Sequence, residues 1–93
     1  MKFSWWDGND YMLQTRNRVS VSQILNAIEN RQVVDVLEHP LHKNQRLVLV
    51  KIRSYIYCML IEKKFLDNFY ILTIFPNKFF TKKYLEGKNE NVR

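Results

Sequence analysis

Three apolar, β-branched and aromatic runs follow one another at residues 47–52, 55–61 and 69–75, parted only by short polar breaks. Runs of six or seven residues rich in Val, Ile, Tyr and Phe are the pattern of strands. The break Arg53-Ser54 has the length of a tight hairpin, and residues 62–68, with Lys63, Lys64, Asp67 and Asn68, read as a longer hairpin loop. Parallel pairing would require a crossover of a dozen or more residues. Neither break is that long, so the three runs are expected to form an antiparallel meander.

The rest of the chain must cover that meander. At 93 residues it can bury only about 60–65% of its unfolded surface, which suits one core and one domain over residues 1–87, with 88–93 a polar tail. Phe3, Trp5 and Trp6 predict an edge strand, ended by Asp7-Gly8-Asn9. Asp7 or Asn9 could cap a first helix over about residues 10–16. A second helix is better specified. Ser20 and Gln23 form a capping box, Val19 and Ile24 a hydrophobic staple, and Val21, Ile24, Leu25 and Ile28 recur on one face, with Asn30 as a left-handed terminator.

Residues 33–37 alternate as a strand with Val34 and Val36 on one face and Asp35 on the other, ended by Pro40. After Pro76, Asn77 is an N-cap for a helix over residues 78–86. Phe79, Phe80 and Tyr84 are expected to dock it, and Gly87 to end it. The expected fold is therefore α+β: a twisted antiparallel sheet of four to five strands with two or three helices, in the order β-α-α-β-β-β-β-α. The longer helices are expected on one face.

The charge is lopsided. Fifteen Lys and Arg against nine Asp and Glu give +6, which favours polyanionic partners, whether nucleic acid or an acidic protein segment. Cys58, the lone cysteine, lies in an apolar run and has no internal partner, which points to a reducing compartment. No apolar run approaches the length of a membrane span, so a cytoplasmic protein is expected. With two glycines and no Cys/His ligand spacing, the sequence carries no phosphate-binding loop or zinc motif, and no cofactor is expected.

The chemistry that remains is cationic. Lys51 and Arg53, two apart, would share a face at a strand end, and Lys78 and Lys82, four apart, would share a helix face beside Lys83 and Tyr84. Such groups could cradle a phosphodiester backbone, with Arg46 adding charge. His39 and His42 flank Pro40, where an imidazole could move a proton in RNA cleavage or could simply cap the loop. For each cation the competing reading is a solvated basic surface.

Several stretches together resemble a known family. They are FSWWD at the start, RVSV at residues 18–21, IENRQVVDVLEHP at 28–40, Asn44-Gln45, and TIFPNK through TKKY at 73–84. Over about residues 3–85 the chain looks like the BrnT-like toxins of bacterial type II toxin–antitoxin systems, within the RelE/ParE-type fold group. The resemblance implies an endoribonuclease that cuts mRNA without a metal, free or on the ribosome, and is neutralised by a cognate antitoxin protein. It implies a catalytic set drawn from Arg53, Lys78, Lys51, Tyr84 and His39, with Lys82, Lys83, Arg46 and His42 binding RNA. The chain departs from the pattern at Gly8-Asn9-Asp10, where a Lys is usual, and at Lys78, where an Arg is usual. A diverged, non-catalytic interaction module is the alternative expectation.

Overall fold

The computed structural model describes residues 2–5 and 19–86. The elements are β1 (Lys2–Ser4), α1 (Val21–Glu29), β2 (Val33–Glu38), β3 (Gln45–Ile52), β4 (Tyr55–Phe65), β5 (Asn68–Pro76) and α2 (Lys78–Thr81), which widens into a π-helical turn, Lys82–Glu86. They form a single α+β domain around a five-stranded sheet ordered β1-β5-β4-β3-β2. The helix expected over residues 10–16, the Gly87 cap and the polar tail fall outside the described residues.

The meander is present, with β3, β4 and β5 antiparallel in sequence, but the sheet is mixed. Strand β1 runs parallel to β5, pairing Phe3 with Phe69. Nearly the whole domain separates β1 from β5, so the crossover limit that governs adjacent strands does not apply to them. Two further differences concern the hairpins. The β3–β4 turn holds Arg53 at φ 61°, outside the strand that ends at Ile52. Residues 62–68 are not a loop, because β4 continues to Phe65 and turns tightly at Leu66 (φ 53°), its polar end pairing with Phe69 and Tyr70.

Both faces of the sheet are covered, which corrects the expectation that the helices share one. Val21 and Ile24 of α1 bury against Val48, Val50, Met59, Ile61, Ile71 and Ile74. Phe80, Tyr84 and Leu85 pack on the opposite face against Leu49, Ile56 and Cys58. Runs apolar on both faces belong to strands buried on both sides. Bulges keep the faces consistent. One at Leu72 brings Ile71 and Ile74 to the same side, and one at Val34 separates two residues expected together. Val34 joins Leu37 beneath α2, while Val36 faces the other way, half exposed.

Helix α1 begins as its sequence predicts. Ser20 Oγ accepts the Gln23 N–H (3.1 Å), and Gln23 Oε1 accepts the Ser20 N–H (2.8 Å). Val19 and Ile24, the staple pair, are both buried. Its end differs. Asn30 has φ −89°, and the left-handed residue is Arg31, at φ 62°. The Arg31 N–H reaches Ile28 O, and the Gln32 N–H reaches Ala27 O. That is the paired bonding of a Schellman ending, one residue later than expected.

Candidate functional site

Helix α2 is only one α-turn long, too short to hold itself in place by backbone bonding alone. Polar pins hold it. Asn77 Oδ1 caps the Phe80 N–H (2.8 Å), and the Asn77 N–H bonds Ile56 O (3.0 Å). Thr81 is buried, its hydroxyl accepting the Ile56 N–H (2.9 Å) and donating to Asn77 O (2.8 Å). The helix is therefore stitched to the first residues of β4. Phe79, expected to dock it, points outward at 67% exposure, and Phe80 and Tyr84 do the packing.

The next turn carries the densest chemistry. The Tyr84 hydroxyl donates to Asp35 Oδ2 at 2.6 Å, and Asp35 Oδ1 accepts the Val36 N–H at 2.8 Å. Lys83 Nζ lies 5.5 Å from the Tyr84 ring centroid. The Tyr84 hydrogen bond, then the Val36 N–H, and more weakly the Lys83 charge hold the Asp35 carboxyl below its ordinary pKa, against a partial loss of hydration. The same hydrogen bond, with lost hydration and the Asp35 charge, pushes the Tyr84 phenol up. The result is an ionised carboxylate sharing a proton-bearing phenol, with exposed Lys78, Lys82 and Lys83 on the same short segment.

Four of the nine expected residues, Lys78, Lys82, Lys83 and Tyr84, lie on α2 and its continuation, where Lys83 stands beside the Tyr84 ring. The others belong to other elements. Arg53 opens onto a shallow hollow of about 290 Å³ on the α1 side, among Gln23, Asn26, Asn30 and Gln32. Lys51 borders the same hollow through its backbone, whose N–H donates to Gln32 O (2.8 Å), while its register with Ile56 directs its side chain to the α2 face of the sheet. Because Arg53 sits in the turn, the two cations do not form the expected strand-face pair.

His39 follows β2, four residues beyond Asp35, roughly 13 Å along an extended chain. Its Nδ1 accepts the N–H groups of Leu41 (3.0 Å) and His42 (3.2 Å), which places the ring hydrogen on Nε2 and makes it a loop cap. The His42 ring lies 4.6 Å from it. Arg46 is pinned by Nη1 bonds to Lys43 O (2.6 Å) and Gln45 O (2.9 Å), and it borders a separate groove on the α1 face.

Sequence reasoning missed Asp35 and Thr81. Asp35 is turned toward Tyr84 by a strand with a bulge that no local signal announces. A threonine inside a lysine-rich helix was the available hint of a buried hydrogen-bonding position.

No family model, curated protein or solved structure matches the chain. Among the described residues, no helix is long and apolar enough to cross a membrane.

Proposed function

We propose that this chain is a metal-independent endoribonuclease of the toxin type, acting in the bacterial cytoplasm on mRNA and neutralised by an antitoxin protein. The Tyr84–Asp35 hydrogen bond at 2.6 Å, with Lys83 Nζ 5.5 Å from the Tyr84 ring and Lys78 and Lys82 exposed on the same short segment, carries this reading. RNA is cleaved when a 2′-hydroxyl attacks the adjacent phosphorus and the 5′-oxygen leaves. Asp35 accepts the 2′-hydroxyl proton, Tyr84 gives its proton to the leaving oxygen, and the lysines offset the charge gathering on the phosphorane. The products are a 2′,3′-cyclic phosphate and a 5′-hydroxyl. Asp35 then returns its proton to the Tyr84 phenolate across their hydrogen bond, which restores both groups.

The test is cleavage of a defined RNA by purified protein in EDTA. Cyclic-phosphate ends that vanish in Tyr84→Phe and fall sharply in Lys78→Ala support the reading. Intact RNA, with folded protein that binds RNA in a salt-dependent way, would replace it with the second reading, a non-catalytic binding module. The separation of Arg53 and His39 from Tyr84 favours that alternative.

A further inference from the structure

Helix α1 covers only part of its face of the sheet. Among the described residues, a groove of about 590 Å³ lies beyond it. Its apolar floor crosses every strand, from Phe3 and Phe69 through Ile61 and Val48 to Val36 at the outer edge. Ile28 of α1 forms part of its wall. Among the described residues, the charged groups that line it are Lys43, Arg46 and Lys63. Glu38, the cross-strand neighbour of Arg46, stands at the outer rim. Four interstrand steps give the trough a length of roughly 19 Å. A helix rising 1.5 Å per residue spans that with about 13 residues.

We propose that this groove docks an acidic amphipathic helix of a partner protein. Apolar residues at i, i+3, i+4 and i+7 would fill the floor, and flanking Asp or Glu would meet Lys43, Arg46 and Lys63. Charge complementarity selects this occupant. A second copy of this chain, at +6, would bring like charge toward the three cations. The proposal is independent of ribonuclease activity, because the groove lies on the face opposite α2.

The probe is a pair of designed 14-residue helical peptides with the same apolar face, one flanked by Glu and the other by Lys. Each is titrated into the isotope-labelled full chain and followed by NMR. Saturable binding of the Glu peptide, with shifts centred on Val36, Val48, Ile61 and Phe69, is expected. Arg46→Glu and Lys63→Glu should each weaken it by about tenfold while the spectrum stays folded, and Lys63→Glu should gain affinity for the Lys peptide. Equal binding of both peptides, or shifts centred on α2, would overturn the proposal. So would a groove already filled by the chain itself or a second copy, seen as no binding at millimolar peptide.

Discussion

The two helices flank one sheet, yet they are held by different means. Helix α1 has nine residues, a capping box, a Schellman ending and an apolar stripe that sinks Val21 and Ile24 fully into the core. Helix α2 has four residues before its π-turn and is held by Asn77, Thr81 and the Tyr84–Asp35 bond. Fully buried side chains anchor α1, whereas the partly buried Phe80 and Tyr84 of α2 and its π-turn need directional polar bonds beside them. An element held by directional bonds can keep a charged, exposed surface in a set orientation, which is what a catalytic segment requires.

Perturbing each helix should expose that contrast. Ile24→Ala removes a wholly buried side chain and should cost about 2–5 kcal/mol, read from the denaturant midpoint. Thr81→Val keeps the shape but leaves the buried Ile56 N–H without its acceptor, for about 1–3 kcal/mol, and should loosen α2 before the sheet in hydrogen exchange. Ser20→Ala and Asn77→Ala each remove a helix cap and should cost about 1 kcal/mol. Equal loosening of α1 and α2 by Thr81→Val would refute the division.

Tyr84→Phe should move stability least and activity most. Its effect on stability should depend on pH in a definite way. Asp35 is lowered in the folded state, so its contribution is complete above its ordinary value of 3.8 and is lost as pH falls through the lower folded value. Tyr84 is raised, so its contribution is complete below its ordinary value of 10.0 and is lost as pH rises through the higher folded value. The melting-temperature difference between wild type and Tyr84→Phe should be flat in between and close at both ends. Cys58, buried beneath α2 with its thiol pushed up to about 11, should resist thiol reagents at pH 8 until the protein unfolds.

Local physics made α1, the three central strands and the Asn77 cap legible in the sequence, since capping boxes and apolar runs are short-range signals. Features set by distant partners were not. The parallel β1–β5 pairing, the bulge at Val34 and the left-handed Arg31, Arg53 and Leu66 depend on tertiary context. So does the site. Lys78, Lys82, Lys83 and Tyr84 were readable because one short segment carries them, but Asp35 lies 49 residues away from Tyr84 and meets it only through the fold. Arg53 and Lys51 looked like members of the same site because strand alternation implied a shared face, and the tight turn removed Arg53 from it.

The most direct measurement is induced expression in bacteria of wild type, Tyr84→Phe and Arg53→Ala, following growth and mRNA integrity with soluble expression confirmed. The account predicts arrest and mRNA loss for wild type and Arg53→Ala, and normal growth for Tyr84→Phe. Arrest that survives Tyr84→Phe but disappears in Arg53→Ala would place the chemistry on the α1 side and contradict it.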